Sequence, residues 1–338
     1  MHFFSDNAAS VHPRLWGAMQ AADAPDFAYD ADAYSRALDD AFSTLFGTPC
    51  ATLLVATGTA ANCLALSAMV PPHGAVICHR EAHIETDEGG APGFFTHGAK
   101  LILAQGEGAL LTPETIAAAI DLIRPGVHQV QPHAISITQA SEYGRVYRPH
   151  EVAAIGSLAR TRGLGLHMDG ARFANAVAFL DCEPAALTAQ AGVDAMTFGF
   201  VKNGGLGAEV IVLFDEDLAE TIRFRRKRAG HLQSKGRYMA AQILAILEHD
   251  LWLENARAAN AAAHELAAAC TGRLLHAVEA NELFVALSDE EKTALRSMGF
   301  DFYDWPAPAG TVGAARLVTA WNTDPAHVAA LARAVRNL

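Results

Sequence analysis

The segment MTFGFVKNGGLGAEVIV, residues 196–212, carries one lysine between two apolar runs. Lys202 is followed by Asn203 and two glycines, which predict a loop between two strands. Burial among phenylalanine and valine side chains should lower the pKa of this lysine and make its amine nucleophilic at neutral pH. Two other interpretations fit the same sequence. The lysine could reach solvent along its aliphatic stem, or it could pair with a carboxylate.

On both sides of this segment, short apolar runs alternate with helical patterns. The runs predict strands at residues 51–56, 74–79, 100–104, 134–139, 164–169, 194–201 and 208–214. Apolar positions at helical spacing predict helices at residues 34–46, 60–70, 113–124 and 150–163. Buried strands that alternate with helices are typical of a mainly parallel sheet covered on both faces. We therefore predict an α/β fold.

The chain divides into three predicted regions. These are an N-terminal arm over residues 1–30, a large α/β domain over 31–236, and a C-terminal region over 237–338. The last region should begin with one long helix at roughly 237–270, rich in alanine and leucine, and continue with short strands and a final helix. We expect it to form a small α+β domain that the N-terminal arm completes.

Composition excludes several classes of protein. A net charge of -12 over 338 residues argues against a general nucleic-acid binder and against a polybasic membrane-surface protein. The five cysteines are scattered without a CxxC pair, which favours a reducing cytoplasm over a disulfide framework. No signal peptide is recognisable, and the uncharged stretch 50–72 is interrupted by Thr57-Gly58-Thr59, so we expect a soluble protein without a membrane span.

Polar residues follow two of the predicted strands at their carboxyl ends. Thr57-Gly58-Thr59 precedes a helix, whose free amides suit an anion, although an ordinary turn with a threonine cap has the same sequence. In HMDGAR, residues 167–172, a carboxylate closes a buried strand. Asp169 either forms a structural pair with Arg172, or contacts a cationic heterocycle and leaves Arg172 free for an anion.

The segment HREAHIETDEGG, residues 79–90, holds two histidines four residues apart. It lacks the glutamate that directly follows the first histidine in a zinc-protease helix. We therefore predict no metal site and give His83 an acid–base or ring-stacking role. An anion cradle, a buried aspartate and a lysine at neighbouring strand ends are together what pyridoxal phosphate (PLP) requires.

At these residues the chain resembles the L-threonine aldolases of the β-eliminating lyase group, which have the fold type I of PLP enzymes. It is most similar to the bacterial low-specificity branch. The matching motifs are SDN (5–7), TGTAAN (57–62), AHIETDEGGAPGFF (82–95), SITQASEYGRVYRP (136–149), HMDGARFANA (167–176), KNGG (202–205), RRKRAGHLQSK (225–235) and ARLVTAWNTD (315–324).

The resemblance implies a role for each matching residue. Lys202 would carry PLP as a Schiff base, Asp169 would pair with the ring nitrogen, and His83 would stack on the ring. The cofactor phosphate would lie on Gly58 and Thr59, and the substrate carboxylate would be bound by Ser5, Arg172 and Arg316. The β-hydroxyl would be contacted by His83 and His128, with Asp87 or Glu88 nearby.

The resemblance also implies an active site shared between subunits. Lys227 and Lys235 match positions that complete the phosphate site of a neighbouring subunit. An inter-subunit anion site explains RFRRKR, residues 223–228, although a solvated helix face or a nucleic-acid patch are other interpretations. A homo-oligomer, usually a dimer of dimers, follows from this.

The implied reaction is the reversible cleavage of L-threonine, L-allo-threonine and related β-hydroxy-α-amino acids to glycine and an aldehyde. A phenylserine aldolase, another PLP-dependent lyase or aminotransferase-like enzyme, and a non-catalytic binding protein on the same fold are the alternatives. One departure bears on the substrate. Phe200-Val201 precede the lysine where relatives often have small or hydroxyl residues, which would narrow the pocket.

Overall fold

A seven-stranded sheet forms the frame of the larger part of the chain. The structure is a computed structural model that describes residues 1–306 and 310–338. The strands of this sheet are β1 (Ala51–Val55), β2 (Gly74–His79), β3 (Lys100–Ala104), β4 (Gln131–Thr138), β5 (Gly165–Gly170), β6 (Ala195–Phe198) and β7 (Glu209–Leu213). Their order is β1-β7-β6-β5-β4-β2-β3, and only β7 runs antiparallel to its neighbours in this sheet.

Helices cover both faces of the sheet and fill the C-terminal region. They are α1 (Pro13–Ala21), α2 (Ala33–Arg36), α3 (Leu38–Phe46), α4 (Gly58–Met69), α5 (His83–Thr86), α6 (Ala91–Phe95), α7 (Pro113–Asp121), α8 (Pro149–Arg162), α9 (Phe173–Leu180), α10 (Asp217–Arg228), α11 (Gly236–Leu247), α12 (Leu251–Ala269), α13 (Asp289–Ser297) and α14 (Pro325–Arg336). Within the two described ranges, no helix combines the length and the apolar character that crossing a bilayer requires.

The single long helix predicted at 237–270 is wrong. The structure has two helices, α11 and α12, separated by a short turn at Glu248–Asp250. In this turn His249 and Asp250 have φ angles of 55° and 54°, in the left-handed region. Two consecutive left-handed residues interrupt the i→i−4 hydrogen bonds, so the α-helix ends before them.

Two apolar cores share α12, one at the start of the helix and one towards its end. The larger one contains the sheet, α11 and the start of α12 with Trp252. The smaller one combines the rest of α12 with α14 and an antiparallel sheet of β8 (Glu282–Ala286), β9 (Tyr303–Trp305) and β10 (Ala314–Val318). Phe3 of the N-terminal arm lies in the smaller core, and its carbonyl accepts a hydrogen bond from the amide of Val318. The domain limits at residues 30 and 236 stay predictions.

Two glycines allow the strand ends at the carboxyl edge to approach one another. A Cβ atom added at Gly170 would lie 2.5 Å from the carbonyl oxygen of Thr197. One added at Gly199 would lie 2.6 Å from the carbonyl oxygen of Ala171. Such distances are shorter than any van der Waals contact, so only glycine fits here, and the loops after β5 and β6 come together.

Candidate active site

A cavity of about 290 Å³ opens where the carboxyl ends of β4, β5 and β6 meet the start of α4. Nine residues that the sequence analysis singled out line it: Thr57, Gly58, Thr59, His83, Glu88, Asp169, Arg172, Val201 and Lys202. The other lining residues are Asn7, Ala56, Asn62, Thr138, Ala140, Glu142, Ala171, Thr197, Gly199 and Glu209.

The start of α4 presents free backbone donors to this cavity. Thr57 caps the helix, because its Oγ1 accepts a hydrogen bond from the amide of Ala60 at 3.2 Å. The amides of Gly58 and Thr59 have no acceptor within the part of the chain that the structure describes. A Cβ atom added at Gly58 would meet nothing within 4 Å. This open helix terminus has the geometry and the partial positive charge that bind an anion.

Asp169 is held by a buried network of side chains. Its Oδ2 accepts a hydrogen bond from Nδ2 of Asn62 at 2.8 Å, and its Oδ1 accepts one from the amide of Ala171 at 3.0 Å. The amide oxygen of Asn62 in turn accepts a hydrogen bond from Thr197 Oγ1 at 2.6 Å. Asp169 therefore faces the cavity in a set orientation, and it does not form the ion pair with Arg172 that the sequence left open.

Arg172 pairs instead with carboxylates of the N-terminal arm and the smaller sheet. Its Nε and Nη2 donate to the two oxygens of Asp6 at 2.8 and 3.0 Å, and its Nη1 lies 3.3 Å from Oε2 of Glu282. Burial alone would raise the pKa of Asp6, but the charges of Arg172 and Lys202 and the hydrogen bonds from Arg172 and Asn281 together outweigh it and lower this pKa to about 2. Arg316 also donates to Glu282, through Nε at 3.0 Å and through Nη2.

The structure does not bring Ser5 and Arg316 into the lining of the cavity. Ser5 caps a short 3-10 helix at Asp6–Ala8, because its Oγ accepts a hydrogen bond from the amide of Asn7 at 3.2 Å. Asn7 itself lines the cavity, so Ser5 lies at its margin. Arg316 is held back by its contacts with Glu282 and with the ring of Trp305.

Lys202 lies in a 3-10 turn after β6 and lines the cavity rather than reaching out to bulk solvent. Burial, and then the charge of Arg172, lowers the pKa of Lys202. The turn is anchored by Glu209 at the start of β7, whose Oε2 accepts a hydrogen bond from the amide of Phe200 at 2.6 Å. Burial raises the pKa of Glu209 to about 7. Phe200 is buried in the larger core, whereas Val201 lines the cavity.

His83 begins α5 and lies between two carboxyl side chains. Its Nδ1 lies 3.0 Å from Oε1 of Glu88, and its amide donates to Oε1 of Glu142 at 3.0 Å. The hydrogen bond to Glu88 raises the pKa of His83. Both carboxylates that the resemblance places near His83 are close to its ring: the buried Glu88 lies beside Nδ1, and Asp87, 84% exposed, lies 3.8 Å from Nε2. The catalytic role of Asp87 stays a prediction.

His128, the other histidine predicted to contact the β-hydroxyl, does not line the cavity of its own chain. It is exposed in the loop that precedes β4, whereas the cavity lies at the other end of that strand. From Gln131 to Thr138 the strand makes seven steps of roughly 3.3 Å and so spans about 23 Å. His128 therefore lies at the opposite edge of the sheet and cannot contact a substrate in the cavity of its own chain.

Lys227 and Lys235 are also outside the cavity and exposed. Lys227 lies in the last turn of α10 with its Nζ 5.0 Å from the ring centroid of Tyr29, and Lys235 directly precedes α11. One cation of the segment RFRRKR, residues 223–228, is not exposed. Arg226 is buried, donates to the carbonyl of Leu54 at 3.2 Å and pairs with Asp30, so it stabilises the fold.

The sequence patterns did not predict a role for several residues of the site. Asn62 and Glu142 lie inside quoted motifs without having been given a role, and Glu209 is the only charged residue in its apolar strand. A lone carboxylate in an apolar strand is expensive to bury without a partner, and this is the signal that would have identified Glu209. Glu282 gives the same signal, because it is the only charged residue in β8, whereas Asp6 lies in the SDN motif without a predicted role.

Comparison with known proteins agrees with this geometry. A family model described as Beta-eliminating lyase matches residues 2–290. The low specificity L-threonine aldolase of Pseudomonas aeruginosa is 44% identical, with 99% of this chain and 96% of the relative covered. That of a second Pseudomonas strain is 42% identical with the same coverage.

The similarity extends to the whole fold. The solved structure of Leishmania major threonine aldolase superposes with a TM-score of 0.94 at 26% identity, over 99% of this chain and 98% of that one. An aspartate aminotransferase of Rhodobacter sphaeroides, at 18% identity, shares the fold with a TM-score of 0.73. The predicted fold class, α/β of the type I PLP enzymes, is confirmed. The chain belongs to the β-eliminating lyase family.

Proposed function

We propose that this protein is a PLP-dependent aldolase that cleaves L-threonine, L-allo-threonine and related β-hydroxy-α-amino acids to glycine and an aldehyde, reversibly. The observation that carries the proposal is the meeting of Lys202, Asp169 and the open start of α4 around one cavity. The names of the two Pseudomonas relatives support the same substrate class.

The residues of the cavity fit PLP by their chemistry. The unpaired amides of Gly58 and Thr59 suit its phosphate, and the carboxylate of Asp169 suits its protonated ring nitrogen. The amine of Lys202 suits its aldehyde carbon, and the ring of His83 suits its face. When bound, PLP supplies an electron sink for the charge that develops at the substrate Cα atom.

Residues of the chain then supply the nucleophile, orient the cofactor and transfer the proton. Burial lowers the pKa of Lys202 and so favours the neutral amine, the form that can attack a carbon or accept a proton. Asn62 orients the carboxylate of Asp169, so that its negative charge stays next to the ring nitrogen. His83, oriented through Nδ1 by Glu88, is the group in this cavity to which we assign the transfer of the β-hydroxyl proton at Nε2.

Substrate orientation is assigned to the arginines at the margin of the cavity. Planar guanidinium groups bind a carboxylate through two parallel hydrogen bonds, and Arg172 and Arg316 are joined through Glu282 on that side. Ser5 is the third member of this carboxylate site, next to Asn7. Binding the carboxylate here would set the orientation of the Cα–Cβ bond that breaks.

We further propose a homotetramer, a dimer of dimers, in the cytoplasm. The exposed Lys227 and Lys235 are available to complete the phosphate site of a neighbouring subunit, because neither contributes to the cavity of its own chain. Sedimentation velocity of the PLP-loaded protein tests the oligomer. Loss of PLP affinity in Lys235→Ala without loss of folding would support the shared site.

The function is tested by adding L-threonine, L-allo-threonine and L-phenylserine to the PLP-loaded protein while aldehyde and cofactor absorbance are recorded. We expect aldehyde release in the wild type and none in Lys202→Ala, which should also lack the visible absorbance of bound PLP. Lys100→Ala, at an exposed lysine on β3, is the matched control and should behave as the wild type. Pyruvate or ammonia in place of aldehyde and glycine would contradict an aldolase and favour another lyase or transaminase activity.

A further inference from the structure

We infer that Glu282 is a positioning residue that holds both arginines of the carboxylate site and competes with the substrate carboxylate for them. The inference rests on the proposed function, because it concerns the binding of an amino-acid substrate. Glu282 begins β8, and its side chain is 0% exposed. It lies between Arg172 and Arg316, which come from different parts of the chain.

The contacts of Glu282 occupy the donors that a substrate would need. Its Oε1 accepts hydrogen bonds from Nε, at 3.0 Å, and from Nη2 of Arg316. Among residues 1–306 and 310–338 its Oε2 has no hydrogen-bond partner, but it lies 3.3 Å from Nη1 of Arg172. The remaining donors of Arg172, Nε and Nη2, point to Asp6. The edge of Arg316 formed by Nε and Nη2 is thus occupied by Glu282, and a substrate carboxylate that binds through this edge must displace Glu282 from it.

The charges in this cluster balance before the substrate arrives. Two guanidinium groups, of Arg172 and Arg316, face two buried carboxylates, of Asp6 and Glu282. A substrate carboxylate is a third negative group, and it gains the arginines only to the extent that Glu282 releases them. Because the competition affects substrate binding before and during the reaction alike, it should change KM and leave kcat almost unaltered.

The chain contains a matched control for this arrangement. Glu279, three residues earlier, is also buried and also bridges two arginines, at 3.1 Å to Nε of Arg145 and 2.8 Å to Nη2 of Arg148. Neither Glu279 nor these two arginines line the cavity. Glu279→Gln therefore removes the same charge from the same kind of bridge, outside the substrate site.

The experiment compares Glu282→Gln, Glu279→Gln and wild type, all loaded with PLP. We expect KM for threonine to fall about tenfold in Glu282→Gln, with kcat within about twofold, and KM to stay unchanged in Glu279→Gln. The affinity for glycine, measured by calorimetry, should rise by a similar factor in Glu282→Gln alone. Threoninamide, which lacks the carboxylate, should show no such change.

An unchanged or raised KM in Glu282→Gln, or an equal shift for threoninamide, would overturn the inference. Glu282→Asp provides a second test and serves if the glutamine variant does not fold. It retains the negative charge on a shorter side chain, so KM should fall less than in Glu282→Gln, and a fall as large as in the glutamine variant would exclude competition by charge. Absence of aldehyde release from every substrate would count against the proposed function, whereas the glycine affinities test Glu282 independently.

Discussion

Replacing Glu209 by glutamine should make the protein more stable at alkaline pH than the wild type. Glu209 is buried at the start of β7, and its carboxylate accepts a hydrogen bond from the amide of Phe200. Burial raises its pKa from 4.5 to about 7. Glutamine has the same shape, keeps an oxygen for the Phe200 amide and carries no charge, so the substitution removes the cost of ionising this group inside the protein.

The sign and size of the effect follow from linkage. A carboxyl group whose pKa is higher in the folded state stabilises the protein fully below pH 4.5, and this stabilisation is lost as pH rises through about 7. The rise in pKa corresponds to about 3 kcal/mol in the free energy of unfolding above pH 8, and to under about 1 kcal/mol at pH 5. For a chain of 338 residues, about 3 kcal/mol is roughly 4 °C in Tm.

The assay is the Tm of the wild type and Glu209→Gln between pH 5 and 9. Glu142, another cavity carboxyl whose pKa burial raises to about 7, is present in both proteins and cancels in the difference. Glu265→Gln, at an exposed position on α12, is the control and should show no difference that depends on pH. A constant difference in Tm across this range, or a more stable wild type at pH 8.5, would refute the reasoning.

Three other substitutions test the contacts of the site. Glu88→Gln should lower the pKa of His83, because it removes the charge beside Nδ1, and an NMR titration of the ring measures the change. Asp6→Asn should cost about 3 kcal/mol of stability at pH 7 by leaving a buried guanidinium underpaired. The deficit in Tm should narrow as pH falls toward the pKa of about 2 of this carboxyl. Gly199→Ala should cost about 1–3 kcal/mol and weaken PLP absorbance, because its Cβ would clash with a carbonyl. Gly207→Ala, where a Cβ meets nothing within 4 Å, is its control.

The local pattern of apolar and turn residues was sufficient to predict most strands of the seven-stranded sheet. The apolar runs at 74–79 and 100–104 predict β2 and β3 with the bounds that the structure has, because period and turn residues are properties of neighbouring positions. The loop with Lys202 and the strand end with Asp169 were identifiable for the same reason. The break between α11 and α12 was missed, since its left-handed residues are histidine and aspartate rather than glycine.

The sequence by itself therefore determined the α/β frame and the residues at the strand ends that the cavity brings together. Only the tertiary structure decided their partners. Arg172 and Asp6 are 166 residues apart in the chain, and Asn62 and Asp169 are 107 apart. Local periodicity carries no information about such pairs. His128 is a different case: it precedes the strand predicted at 134–139, so a parallel sheet already puts it at the edge opposite the cavity, and only the resemblance linked it to the substrate.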